Sequence, residues 1–211
     1  MKAAVRGLYA VTPDIADTAE LIEKVEAVLA GGASVVQYRN KAADADSRAA
    51  QARALQDLCS AKGVPLIIND HLELALAVDA AGLHLGKDDG SFSEARARLR
   101  PGKLLGASCY NRVDSAIAAV QAGADYVAFG SFFPSTVKPG AVHASATLLR
   151  EAKQKLLVPI VAIGGITLGN AGQLVSAGAD ALAVISALFS APDIRLAAER
   201  FSRLFSSAPA I

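Results

Sequence analysis

Ala122-Gly123-Ala124-Asp125-Tyr126-Val127 returns almost unchanged as Ala177-Gly178-Ala179-Asp180-Ala181-Leu182, and this return decides the fold. Aligned on their small residues, Gly31-Gly32-Ala33-Ser34-Val35-Val36 and Ala81-Gly82-Leu83-His84-Leu85 are two further copies, so the unit recurs about every fifty residues. The glycine of each copy suits a helix C-cap, and the apolar run behind it suits a strand buried on both faces. Each copy therefore reads as helix end, tight turn, strand. The spacing fits a double βα step, and between the copies lie four more strand candidates: Gly7 to Val11, Val64 to Ile68, Leu104 to Ser108 and Pro159 to Ile163. Eight strands result.

Apolar residues at helical spacing fill the intervals, over Asp17 to Ala30, Asp46 to Lys62, Val113 to Ala122, Ser145 to Leu156 and Ile194 to Phe205, with shorter segments at Leu72 to Ala80 and Ser91 to Leu99. Such alternation builds either an open doubly wound sheet or a closed barrel. Eight evenly spaced strands in 211 residues favour the barrel, an α/β fold of the (β/α)8 TIM type. A single domain over residues 1–211 is expected, with 206–211 as a frayed tail.

A net charge of +1 with dispersed basic residues carries no electrostatic footprint for nucleic acid and no polybasic patch for a membrane. No apolar run approaches the length of a bilayer span, and Met1 to Gly7 lacks a signal core, so a cytoplasmic protein is expected. Cys59 and Cys109 lie far apart without metal-type spacing and read as reduced thiols.

In a (β/α)8 barrel, chemistry belongs at the C-terminal ends of the strands. The unusual polar residues of this chain fall there: Gln37-Tyr38-Arg39-Asn40-Lys41 after the second strand, Asn69-Asp70-His71 after the third, Lys87-Asp88-Asp89 after the fourth and Ser108-Cys109-Tyr110 at the fifth. The sixth strand runs into Gly130 to Lys138. Residues two apart share a strand face, so Gln37, Arg39 and Lys41 can converge on one anionic group; the alternative is a solvated strand edge ending in a charged loop. Asp70 and Asp89 can share one hard cation such as Mg²⁺, or serve as helix N-caps and loop hydrogen-bond acceptors. Gly164-Gly165 after the seventh strand, with Ile185-Ser186 before a short helical stretch after the eighth, matches the usual phosphate position of this fold, although a glycine pair alone is also a plain turn. His84 reads as a hydrogen-bonded barrel residue in a supporting role. Cys109 has no histidine and carboxylate to activate it and reads as packing, and His143 as a loop residue.

Gln37-Tyr38-Arg39-Asn40-Lys41, Val64 to Asp70, Gly82 to Gly86, Gly106-Ala107-Ser108-Cys109, Ala124 to Gly130, Lys138-Pro139 and Ile163-Gly164-Gly165-Ile166, taken in order, resemble the thiamine-phosphate synthase family from about Tyr9 to Phe201. That resemblance implies a (β/α)8 transferase that joins 4-amino-2-methyl-5-hydroxymethylpyrimidine diphosphate to 4-methyl-5-(2-hydroxyethyl)thiazole phosphate, giving thiamine phosphate and pyrophosphate with Mg²⁺. It further implies that Gln37, Arg39, Lys41, Asn69, Ser108 and Lys138 hold the pyrimidine diphosphate, with Arg39, Lys41 and Lys138 as the catalytic cations. Asp70 and Asp89 would bind the metal; Ser135, Thr136, Val137, Gly165, Ile185 and Ser186 would hold the thiazole phosphate. An electron-rich aminopyrimidine stabilises the cation left when pyrophosphate departs, so no enzyme nucleophile is needed. Two phosphorylated small molecules are then the partners, with no nucleic acid and no membrane, and a homo-oligomer is compatible with the sequence. The chain departs from the family pattern at Lys87, Ala81, Ser131, Asn40 and Val137, the last of which removes an expected hydroxyl; Asn40 is expected to point away from the site. The alternatives are a related thiazole tautomerase, a phosphosugar isomerase or lyase on the same barrel, and a phosphate-ligand sensor; the retained cations and carboxylates argue against the first.

Overall fold

The computed structural model describes residues 5–134 and 144–206. Eight parallel strands close in sequence order: β1 (Gly7–Val11), β2 (Val35–Tyr38), β3 (Leu66–Asn69), β4 (Gly82–Leu85), β5 (Leu104–Tyr110), β6 (Tyr126–Phe129), β7 (Ile160–Ile163) and β8 (Ala181–Val184), with β8 pairing back onto β1. The outer ring consists of α1 (Thr18–Ala30), α2 (Ala45–Ala61), α3 (Leu72–Ala77), α4 (Phe92–Arg98), α5 (Val113–Gln121), α6 (Ala146–Lys155), α7 (Leu168–Ser176), the short α8 (Ser186–Phe189) and α9 (Ile194–Ser206). The expected (β/α)8 barrel is the observed fold. Ser206 is the last residue of α9, and 207–211 lie outside the described residues.

Strand alternation sorts the apolar side chains into two cores. Leu8, Ala10, Val36, Ile68, Leu83, Leu105, Val127, Ala162 and Leu182 face the helices, whereas Tyr9, Val11, Val35, Ile67, Leu104, Tyr126, Ala128, Val161, Ala181 and Ala183 fill the barrel. Asp17, Asp44, Ser91 and Ser145 each accept a backbone N–H from the first turn of α1, α2, α4 and α6, which sets where those helices start. The sequence pattern does not show α7, because Gly169 and Gly172 dilute its helical periodicity. It is held at its start by Asn170, whose Oδ1 accepts from Thr167 N at 2.8 Å while its Nδ2 donates to the Gly165 carbonyl at 3.0 Å.

The repeat that gave the fold away has a mechanical role at the strand starts. Asp125, before β6, accepts from Leu105 N of β5 at 2.9 Å and from Arg96 of α4 at 3.0 Å. Asp180, before β8, accepts from Ile160 N of β7 at 2.8 Å and from Lys153 of α6 at 2.6 Å. Gly123 and Gly178 adopt positive φ of 99° and 108°, and a Cβ at either would press on the Arg96 or Lys153 side chain. One correction follows for the second copy: Gly82 is not its left-handed residue. That position is Asp79, with φ of 50°, and Gly82 is a strand residue whose missing Cβ leaves room for the Leu104 carbonyl and Ile67.

Asp180→Ala would leave the buried Ile160 N–H unpaired and remove the Lys153 partner. It is expected to cost about 1–3 kcal/mol, measured as a lower urea midpoint with unchanged slope.

Candidate active site

The cleft at the C-terminal mouth is lined by Tyr9, Gln37, Arg39, Asn69, His84, Ser108, Tyr110, Tyr126, Gly130, Ser131 and Gly164, with an apolar floor of Val11, Ala128, Val161 and Ala183. A second cleft adjoins it over Gly164, Gly165, Ile166, Thr167, Ile185 and Ser186, and the two share Ile163, Gly164, Ala183 and Ile185. Two neighbouring pockets with a common wall suit two small molecules that must meet.

Segment 39–41, past the end of β2, is held from the β1 loop. Thr12 Oγ1 donates to the Arg39 carbonyl at 2.8 Å and accepts from Arg39 N at 2.9 Å, so its hydroxyl closes a two-bond clasp. Asp14 Oδ1 accepts from Lys41 N at 2.9 Å and from Arg39 Nη1 at 3.2 Å. Asn40 turns away from the cleft, as expected from the sequence: its Nδ2 donates to the Ile15 carbonyl at 2.8 Å and to Gln51 Oε1 at 3.0 Å. Gln37 lies inside the barrel and Arg39 lines the cleft, whereas Lys41 is half-exposed on the loop that follows.

Asp70, in the left-handed region at φ of 64°, faces Lys41 at 3.6 Å and lies beside Asp89. Burial, then the adjacent Asp89 carboxyl, raises the Asp70 carboxyl above the usual carboxylate range, while Lys41 opposes the shift. Asp89 Oδ2 also accepts from Gly86 N at 3.0 Å, so the loop-acceptor role and the pairing with Asp70 coexist. Among the described residues no group of three or more His, Cys, Asp or Glu side chains is placed to hold a metal ion. Ser135, Thr136, Val137, Lys138 and His143 lie outside the described residues.

Inside the barrel, Gln37 Nε2 donates to Tyr9 Oη at 2.8 Å; Tyr9 and Tyr126 hydroxyls meet at 2.8 Å, Tyr126 Oη meets His84 Nδ1 at 3.0 Å, and His84 Nε2 meets Ser108 Oγ at 2.9 Å. The sequence reading gave His84 its supporting role but passed over Tyr9, Tyr126, Thr12 and Asp14. The signal available for the tyrosines was that a buried phenol needs a hydrogen-bond partner, so two of them on inward strand positions imply a polar row. Gly106 makes that row possible, since a Cβ there would overlap the Tyr126 ring and lie 2.5 Å from His84 Nδ1. Cys109 packs outward as expected, and burial pushes its thiol up to about 12, as it does for Cys59. A register shift between Ser108 and Tyr110 lets Tyr110 rise half-exposed at the rim.

A closed (β/α)8 barrel with its polar groups drawn to the C-terminal mouth has the build of a barrel enzyme. The family model described as thiamine monophosphate synthase matches residues 8–188, and the chain belongs to that family. It is 55% identical over 203 residues to the thiamine-phosphate synthase of Thiobacillus denitrificans, covering 96% of each chain, and 54% identical over 202 residues to that of Methylobacillus flagellatus, again covering 96% of each. Its fold matches the thiamine phosphate pyrophosphorylase structure from Pyrococcus furiosus with a TM-score of 0.85 at 33% identity, over 95% of both chains.

Gly106→Ala is expected to destabilise the protein by about 1–3 kcal/mol through overpacking, seen as a lower thermal midpoint, and to part Tyr126 from His84. A midpoint at or above that of the unmodified protein would contradict the packing described.

Proposed function

We propose that the protein condenses 4-amino-2-methyl-5-hydroxymethylpyrimidine diphosphate with 4-methyl-5-(2-hydroxyethyl)thiazole phosphate, forming thiamine phosphate and pyrophosphate. The observation that carries this reading is a cleft lined by Gln37, Arg39, Asn69 and Ser108, with Lys41 paired to Asp70 and Asp89 beside Asp70 on the neighbouring loops, next to a second cleft built on Gly165, Ile185 and Ser186. Membership of the family supports it.

In this reading Arg39, Lys41 and Lys138 take the diphosphate, with Gln37, Asn69 and Ser108 orienting the pyrimidine that carries it. Asp70 and Asp89 fit a hard divalent cation, because two oxygen donors drawn together beside a lysine are held most favourably when a positive charge lies between them. Mg²⁺ held there would supply neutralisation of charge on the pyrophosphate leaving group. The carbon–oxygen bond breaks with both electrons leaving on pyrophosphate. The aminopyrimidine spreads the positive charge left on its methylene, and the thiazole nitrogen then donates its lone pair to that carbon. Arg39 and Lys41 stabilise charge that grows as the bond breaks, so they act on the transition state more than on the bound substrate. Ser135, Thr136, Val137, Gly165, Ile185 and Ser186 hold the thiazole phosphate, placing its ring against the pyrimidine and lowering the entropic barrier to their encounter. The apolar floor of Val11, Ala128 and Val161 keeps water from capturing the cation first. No helix among the described residues is long and apolar enough to cross a membrane.

Purified protein supplied with both substrates and Mg²⁺ is expected to release one pyrophosphate per thiamine phosphate, and to stop when the cation is chelated. Folded protein that releases none would reject this function. Asp70→Ala is expected to lower turnover on the order of a hundredfold while circular dichroism stays unchanged. Retained turnover in that variant would remove Asp70 from the metal site.

A further inference from the structure

Five side chains cross the barrel in one unbroken hydrogen-bonded row: Gln37, Tyr9, Tyr126, His84 and Ser108. An amide nitrogen only donates, so Tyr9 Oη accepts from Gln37 and turns its own proton toward Tyr126. Tyr126 Oη, already accepting from Tyr9, directs its proton to His84 Nδ1. A neutral imidazole that accepts at Nδ1 carries its proton on Nε2, and that proton points at Ser108 Oγ. We propose that the row is directed from Gln37 to Ser108, so that it fixes His84 as the neutral Nε2–H tautomer and leaves the Ser108 hydroxyl proton to be donated to the ligand in the cleft.

Tyr9, Tyr126 and His84 are then positioning residues: none needs to touch the substrate, and each acts through Ser108. All five line the cleft, and Gln37 and Ser108 are the two ends of the row, so the polarity chosen at one end decides what the other presents. Turning the Gln37 amide over would reverse every bond and make Ser108 an acceptor toward the ligand, the wrong polarity for a phosphate oxygen or a ring nitrogen. The row is rigid enough to carry this information. Tyr9 and Tyr126 are fully buried, with rings tilted at 55° and centroids 6.0 Å apart, and the His84 ring lies over Tyr126 at 5.5 Å. Burial pushes both phenols above the ordinary tyrosine value, so each keeps the proton it has to donate.

The direction of the row is independent of the reaction, whereas the ligand contact at Ser108 rests on the function proposed above. Histidine-¹⁵N-labelled protein at neutral pH, with the His84 signals assigned by their loss in His84→Gln, is expected to show a protonated, pyrrole-type Nε2 and an unprotonated, pyridine-type Nδ1. Tyr126→Phe should release the tautomer to a mixture. An Nδ1–H tautomer in the unmodified protein overturns the direction, and an unshifted one in folded Tyr126→Phe overturns the claim that the row fixes it. For the contact, Tyr126→Phe and Ser108→Ala are each expected to lower kcat/KM about tenfold, with the double variant no worse than Ser108→Ala alone. Multiplying losses would show that Tyr126 does not act through Ser108. The unmodified protein is the control for turnover: its inactivity would overturn the proposed function and the ligand contact together, while the tautomer still decides the direction of the row.

Discussion

A polar group inside a closed barrel has to find its partner there, because the strands satisfy one another's backbone and water enters only at the mouth. This constraint divides the interior in two. The lower half meets it with apolar side chains, Val35, Ile67, Leu104, Val161 and Ala181 packed together. The upper half meets it with a row in which each member completes the next, from Gln37 to Ser108. Such a row tolerates no gap, since one missing member strands its neighbours. It also needs an opposite number without a side chain, which is why Gly106 stands where Tyr126 and His84 meet.

The mouth is organised by the same demand, applied to charge. Arg39 and Lys41 sit on a loop, the least rigid place for a cationic clamp, yet their backbone is fastened by Thr12 and Asp14 from one side and by Asn40 reaching to Ile15 and Gln51 on the other. The Asn40 bonds are buried and the Thr12 bonds partly so, which limits their competition with water, whereas those of Asp14 are exposed. The cations thus wait in place, and a polyanionic ligand need not order the loop that binds it. Asp14 at Arg39 and Asp70 at Lys41 keep both cations partnered meanwhile.

The architecture was legible in the sequence because it rests on periodicity. Small residues before buried runs recur, and two helices with one strand between them fill the interval between copies. The residues that end each strand were legible too, as polar exceptions after apolar runs. What escaped has a common physical origin. α7 is capped from its third residue, Asn170, whose side chain reaches back to Thr167 N, and is diluted by two glycines, so its pattern is weak although its packing is not. Thr12 and Asp14 act on a segment 27 and 25 residues away, a closeness created by the β1–β2 pairing and absent from either neighbourhood. Tyr9 and Tyr126 look apolar in a strand pattern, and their hydroxyls matter only because the barrel is closed and brings positions 117 residues apart into contact.

The repeat itself shows why fold was easier to read than chemistry. Its copies tie strand starts to their neighbours: Asp125 and Asp180 accept a backbone N–H, Ser34 Oγ donates instead to the Leu8 carbonyl at 3.0 Å, and Ala81 offers only its own carbonyl to Leu104 N at 2.9 Å. Three chemistries serve one mechanical end at the N-terminal face, at the opposite end of the strands from the mouth. At the opposite ends of the same strands no repeat survives. Gln37 follows from β2, Asn69 from β3, His84 from β4 and Ser108 from β5, each different because each completes a different part of one site. Stability in this barrel is a property of what recurs and function a property of what does not, and the seam between the two runs across every strand.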